Sequence, residues 1–255
     1  MIKILAIGNS FSQDATAYLY DMAKAAGKEM KVVNLYIGGC SLKTHWSNIE
    51  ADAPNYEYEL NGQYNGRKSS IKEALQEEAW DYVTLQQVSG ESGILETYDP
   101  YLDRISEYVK QFAPAAGQLL HQTWAYELDS EHSDFIKYDK DQKKMYEAIL
   151  RTYRTLSERL SLRVIPSGTV IQELRAKPVF DYANGGISLC RDGYHMHMIY
   201  GRYAVAATWY EFILKESILK NNFIPRKEGL GETDREVIDL VKEAVHAVVS
   251  KQYEK

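Results

Sequence analysis

The first thirty-seven residues narrow the possible folds more than any other stretch of this chain. Ile2 to Ile7 is a short, unbroken apolar run ended by Gly8, the pattern of a strand buried on both faces. A helical stretch follows, with Ala15, Leu19, Met22 and Ala26 spaced three to four residues apart. Asp14 stands where it could cap the start of that helix, and Gly27 where a helix ends. Lys31 to Ile37 then reads as a second strand, broken by Gly38-Gly39. Strand, helix and strand in this order make a βαβ unit, which closes as a right-handed parallel crossover.

The remainder extends that unit. Residues 40–70 read as polar and irregular, except for Tyr56 to Leu60, Asn61-Gly62 and Gln63 to Asn65. These predict a hairpin on an Asn-Gly turn, which we read as a small insertion near 55–66 beside the site. Further strands are predicted over 82–87, 118–122 and 162–165. Helices are predicted over about 70–78, 100–112 and 139–160, through Trp209 and Leu214, and over about 232–250. Five strands alternating with helices imply an α/β fold, a three-layer α/β/α sandwich around a central five-stranded parallel sheet. A chain of 255 residues with 45% apolar content supports one large core, so 1–255 is expected to be a single domain.

Charge and cysteine content exclude some roles. The net charge is −6 and no block of one sign stands out, which argues against nucleic acid or an anionic membrane as partner. No apolar run is long enough to span a bilayer. Cys40 and Cys190 are far apart and lie in no Cys-x-x-Cys, so both are expected to be free. No signal peptide precedes the first strand, and the chain as written is expected to be soluble and cytoplasmic; one trimmed of a leader would read the same. Twenty tyrosines are the compositional oddity. A flat ring carrying a hydroxyl suits sugars as well as the rim of a core.

In open α/β sheets, ligands bind beyond the carboxyl ends of the strands. Four polar segments are expected there: Gly8-Asn9-Ser10, Gly38-Gly39, Gln86-Gln87 and Arg191-Asp192-Gly193-Tyr194-His195. Together they supply the parts of an acyl-transfer site. Ser10 is the candidate nucleophile, and a serine hydroxyl needs a base. His195 is the candidate base, with Asp192 three residues earlier to hold its other ring nitrogen. The Gly39 N–H and a glutamine amide are candidate oxyanion donors. Around them, Trp124 is a candidate platform for a sugar ring and His121 a hydrogen-bonding partner for the acyl or alcohol part. His45 and Trp46 are candidates for the same rim. Arg191 would bind a substrate carboxylate or pair with an acidic neighbour. Each also has a structural reading, as a helix start, a plain turn or a buried side chain.

The set resembles the SGNH (GDSL-type) hydrolase superfamily. That superfamily carries a nucleophilic Ser in a first-strand Gly-Asp-Ser block, a Gly after the second strand, an Asn in a Gly-x-Asn-Asp block after the third, and a late Asp-x-x-His. Ser10, Gly39, and the pair Asp192 and His195 match three of these blocks. More narrowly, Ala6-Ile7-Gly8-Asn9-Ser10-Phe11-Ser12, Leu85-Gln86-Gln87 and Arg191-Asp192-Gly193-Tyr194-His195 resemble the DUF4886 family of gut bacteria, over nearly the whole chain. The resemblance implies a flavodoxin-like SGNH fold and a Ser10–His195–Asp192 triad. Two positions depart from the superfamily pattern. Asn9 replaces the usual Asp, and Gln86-Gln87-Val88-Ser89-Gly90-Glu91 stands in place of Gly-x-Asn-Asp. The latter is closer to the Gln-Gly-Glu block of the sialate O-acetylesterase branch. It makes Gln87 the expected oxyanion donor, with Gln86 on the opposite face of the strand.

The expected activity is that of a serine esterase cleaving short acyl, above all acetyl, esters on carbohydrates, with no metal or organic cofactor. Its expected partner is a small-molecule or oligosaccharide ester. Two other readings compete: a non-catalytic carbohydrate-binding domain, and a metal-dependent hydrolase using Asp192, His195 and His197, with His45 or His121 completing the set. A dinucleotide-binding domain is disfavoured, because Gly8-Asn9-Ser10 lacks the Gly-x-Gly-x-x-Gly spacing and no acidic residue ends the second strand.

Overall fold

The computed structural model describes residues 1–226 and 232–253. The chain runs through β1 (Ile2–Gly8), α1 (Ser10–Thr16), α2 (Leu19–Ala25), β2 (Met30–Tyr36), α3 (Leu42–Glu50), β3 (Tyr56–Leu60) and β4 (Gln63–Ser69). It continues through α4 (Ile71–Glu77), β5 (Tyr82–Leu85), α5 (Tyr101–Phe112), β6 (Gly117–His121) and α6 (Gln142–Leu160). The described elements close with β7 (Arg163–Ile165), α7 (Ser167–Arg175), α8 (Tyr200–Leu214) and α9 (Arg235–Val249).

The apolar opening run becomes the centre of the sheet. Ile4, Leu5, Ala6 and Ile7 are at most 1% exposed, since β1 is flanked by parallel neighbours and covered on both faces. The sheet has seven strands in the order β4-β3-β2-β1-β5-β6-β7. Five of them, β2-β1-β5-β6-β7, are parallel. This is the doubly wound order in which the direction of winding reverses beside β1. Right-handed crossovers then place the β1–β2 helices on one face and those of the later crossovers on the other. Accordingly α1, α2, α7 and α9 pack against α8, while α3, α4 and α5 pack on one another. Arg159 of α6 reaches Asp103 of α5 at 2.9 Å. α8 is buried along almost its whole length, from Tyr200 to Ile213, which is why its sequence is apolar on every side.

The expected five-stranded sheet is thus enlarged. The predicted hairpin forms, with both turn residues in the left-handed region (Asn61 φ 52°, Gly62 φ 79°) as a type I′ turn requires. It does not stand apart from the sheet, however. β3 pairs antiparallel with β2, and β4 becomes the outer edge. β4 is exposed up to Lys68, carries Arg67 and Lys68, and its pairing with β3 shifts register between Glu57 and Glu59.

Three helical expectations also change. The single helix predicted after β1 is two short ones, α1 and α2, and its cap is Asn9, whereas Asp14 lies buried inside α1. α3 lies in the segment read as irregular; Ser41 caps it, and Leu42, His45 and Ile49 form its buried stripe. α7 directly follows Pro166, with Val170, Ile171 and Leu174 inward. In both cases the three-to-four spacing was present but short.

Candidate active site

Ser10 sits where β1 hands over to α1. Asn9 has extended backbone (φ −148°), and its side chain accepts from the Phe11 N–H at 3.0 Å. Ser12 Oγ returns the bond by accepting from the Asn9 N–H at 3.1 Å, a reciprocal cap. Such caps are typically worth about 1 kcal/mol. A side chain at Gly8 could not coexist with this turn, because its Cβ would stand 2.2 Å from Ser12 Oγ. The outcome is a half-buried Ser10 at the first helical position. Its own N–H donates to no group among the described residues, as expected for the first turn of a helix.

The late loop brings His195 to it. His195 Nε2 lies 2.8 Å from Ser10 Oγ, across 185 residues of sequence. His195 Nδ1 lies 2.7 Å from Asp192 Oδ2, and the His195 backbone N–H donates to Asp192 Oδ1 at 2.8 Å. A carboxylate only accepts, so the imidazole proton sits on Nδ1 and Nε2 faces the serine as an acceptor. Partial burial works to raise the Asp192 pKa, but the hydrogen bonds from the His195 ring and the His195 and Tyr194 N–H groups outweigh it and hold the carboxyl below its ordinary value. Asp192 therefore stays ionised opposite the ring. The three side chains have the connectivity of a nucleophile, a base and an orienting acid.

One carboxylate holds this turn to the helix that carries Ser10. Asp14 lies one helical turn after Ser10 and is fully buried. It accepts from Arg191 Nη1 at 3.0 and 3.2 Å, from Arg202 Nε at 2.7 Å and from the Met196 N–H at 2.8 Å. Residues 191 and 196 bracket the Asp192–His195 turn, so both its ends are anchored to the helix that carries Ser10. Arg191 also donates to the Met196 carbonyl at 2.6 Å. Of the two expectations for Arg191, the structure places it in the acidic pair.

The strand ends beside Ser10 form a buried polar floor. Asn9 Nδ2 donates to the Cys40 carbonyl at 3.1 Å, drawing the Gly39–Cys40 turn toward α1. Gly39 is exposed, has φ +63°, and its N–H donates to no described group. Gln86, 2% exposed, donates from Nε2 to Asn9 Oδ1 at 2.8 Å. Gln87 is not available as an oxyanion donor. Its Nε2 donates to Thr97 O and Oγ1 at 3.1 and 3.2 Å, and its Oε1 accepts from the Leu42 and Val88 N–H groups, both at 2.9 Å. Gln87 instead ties the start of α3 to the loop after β5.

The other expected pocket residues are placed differently. His121 is wholly buried at the end of β6, between Gln86 Oε1 (2.7 Å) and Ser167 Oγ (3.1 Å). Trp124 is also wholly buried; it stacks on Phe11 at 4.2 Å and donates to the Tyr194 carbonyl at 2.7 Å, so it supports the base turn from beneath and presents no face to a sugar. His45 is buried against Tyr56, with Nδ1 2.8 Å from its hydroxyl. Burial lowers both His45 and His121 to about 3, so both rings are neutral. Trp46 lines a lateral groove of about 690 Å³ with Asp103, Arg104 and Tyr108, a groove to which Ser10, Asp192 and His195 do not contribute. His197 turns from His195 to accept from the Ile199 and Tyr200 N–H groups at the start of α8, both at 3.3 Å. Among the described residues no three His, Cys, Asp or Glu side chains are grouped to hold a metal.

The aromatic surface beside the base comes from residues the sequence did not single out. Tyr194 lies 4.2 Å from His195 between ring centroids, and His132 meets Tyr194 edge-on at 4.7 Å. Both are partly exposed. Asp14 was legible only as a helix cap, because its partners lie 177 to 188 residues away.

Comparison with known proteins agrees with this architecture. The family model described as "Domain of unknown function (DUF4886)" matches residues 3–247. A crystal structure of a DUF4886 family protein from Bacteroides uniformis is 36% identical, with a TM-score of 0.88 over 98% of this chain and 95% of that one. A protein of Slackia heliotrinireducens assigned to the SGNH hydrolases is 19% identical, with a TM-score of 0.54 over 83% of this chain and 98% of that one. The acetyl xylan esterase AlAXEase is 14% identical, with a TM-score of 0.56 over 82% of this chain and 98% of that one. The last two likenesses are likenesses of fold. No curated protein matches the sequence.

Proposed function

The chain belongs to the DUF4886 family, which has the SGNH hydrolase fold, and on that premise we propose that it is a serine esterase releasing short acyl groups, acetyl above all, from carbohydrate esters. The observation that carries this reading is the unbroken chain from Ser10 Oγ to His195 Nε2 (2.8 Å) and from His195 Nδ1 to Asp192 Oδ2 (2.7 Å).

The chemistry follows from that chain. His195 Nε2 takes the Ser10 proton as Oγ attacks the ester carbonyl, and the imidazolium is balanced by Asp192. The tetrahedral oxyanion is received by the free N–H groups of Ser10 and Gly39, each such donor being worth about 3 kcal/mol. His195 then gives its proton to the departing alcohol oxygen. Water, deprotonated by the same ring, attacks the acyl-enzyme and releases the acid and free Ser10. A short acyl group is favoured by the fold shared with an acetyl xylan esterase. A carbohydrate alcohol is favoured by the Tyr194–His132 surface next to the base, since aromatic faces suit the apolar faces of sugar rings.

A fluorophosphonate probe should label the protein at Ser10, and Ser10→Ala should abolish both labelling and p-nitrophenyl acetate hydrolysis. Wild-type protein that neither labels nor hydrolyses acetyl esters would instead be a binding domain. Acetylated saccharides assayed against esters of increasing chain length test the substrate class; preference for long chains would overturn it.

A further inference from the structure

The buried floor under Ser10 is a single directed row of hydrogen bonds. Taken in order, it links Ser167 at the start of α7, His121 at the end of β6, Gln86 after β5, Asn9 after β1 and the Cys40 carbonyl after β2. That is the order of the five parallel strands across the sheet, so the row crosses every parallel carboxyl end. Its four side chains are each at most 2% exposed.

Backbone groups at one end fix the sense of the whole row. Asn9 Oδ1 must be an oxygen because it accepts from the Phe11 N–H, and Nδ2 must be the nitrogen because it donates to the Cys40 carbonyl. Gln86 therefore presents Nε2 to Asn9 and Oε1 to His121. An oxygen facing His121 Nδ1 requires the proton there, and the neutral ring then accepts from the Ser167 hydroxyl at Nε2. Every donor points the same way, toward the Gly39–Cys40 turn, and bonds aligned in this manner polarise one another.

We infer that His121 is a positioning residue, which through Gln86 and Asn9 holds the N–H groups of Ser10 and Gly39 where the oxyanion develops. This rests on the esterase reading above. Nothing in the row touches substrate; it acts by keeping Asn9 in one orientation, and Asn9 lies next to Ser10 in sequence and bonds to the residue after Gly39. Loss of the row loosens the oxyanion donors while leaving the Ser10–His195–Asp192 chain intact.

Three variants and one spectrum test this. His121→Phe keeps the ring and removes both nitrogens; kcat for acetyl esters should fall about ten- to a hundredfold with KM nearly unchanged, the loss expected from small misplacement of reacting groups. Gln86→Glu, which cannot donate to Asn9 when ionised, should show the same split. His121→Asn, whose amide can replace the Nδ1–H, should recover most of kcat. In ¹⁵N-histidine-labelled wild type, the resonance missing from His121→Asn should report a neutral ring protonated at Nδ1. An imidazolium or an Nε2–H ring at neutral pH would overturn the inference, even if His121→Phe failed to fold. A folded His121→Phe with wild-type kcat would overturn it as well. Activity surviving in Ser10→Ala would instead remove the esterase reading itself, a separate outcome.

Discussion

The two halves of the site are held by different physics. The Ser10 half stands on strand ends and is organised by neutral amides, hydroxyls and a neutral imidazole, nearly all sealed from water. The His195 half stands on an irregular turn in which Arg191 and Asp192 are exposed, and charge holds it: one buried carboxylate, two arginines and a backbone N–H. A parallel sheet already fixes neighbouring strand ends to within a hydrogen bond, so short neutral links are enough to align what stands on them. A loop 180 residues downstream has no such frame. Its placement needs interactions strong enough to order it, and a buried carboxylate flanked by guanidinium groups provides them.

Breaking the His195 half should have the larger effect. Asp192→Asn removes the charge that balances the imidazolium and allows the wrong tautomer; kcat should fall by roughly 10² to 10⁴, with phosphonate labelling slowed in parallel. A loss below tenfold would show that His195 works without its carboxylate. Asp14→Asn preserves shape but leaves Arg191 and Arg202 with no buried counter-charge. Stability should drop by about 3 kcal/mol in urea unfolding, and kcat by about a hundredfold as the turn drifts from Ser10. Full activity in a folded but destabilised Asp14→Asn would reduce the clamp to a stability element.

The buried histidines, His121 in the floor and His45 in α3, should betray themselves through acid sensitivity. His121 and His45 are lowered from the ordinary 6.5 to about 3 by burial. The unfolded chain binds these protons below pH 6.5 while the folded protein does not, so stability is complete above that pH and declines as pH falls toward 3. The urea midpoint should therefore decrease between pH 7 and pH 4, and less steeply in His121→Asn, which has one fewer titrating group. An unchanged slope in that variant would mean that His121 takes up its proton in the fold at the same pH as in the unfolded chain.

Much of this arrangement was legible from the sequence. Apolar runs gave the five parallel strands, and polar residues at their ends gave Ser10, Gly39, Asp192 and His195 as a group that the structure brings together at Ser10, Asp192 and His195. Less legible was which way each polar residue points. Consecutive residues at a strand end diverge, so Gln86 enters the floor while Gln87 leaves for Thr97, and the amide nitrogens of both are spent on other groups of the chain. Trp124, His121 and His45 stand near the right edge of the sheet but inside it, because burial depends on what the chain later packs over them. Asp14 shows the limit most clearly. Its local pattern suggests a helix cap, and only the return of residues 191 to 202 turns it into a clamp.

The β3–β4 hairpin has a consequence for how these molecules coexist in solution. Without it, β2, whose following loop carries Gly39, would be an open edge able to pair with another chain. β3 occupies that edge, and β4 offers the next one, irregularly paired and bearing Arg67 and Lys68. An edge of this kind resists strand-by-strand association. The opposite edge, β7, is three residues long, too short to template a partner. Strand-by-strand pairing is thereby kept two strands away from the loop that carries Gly39.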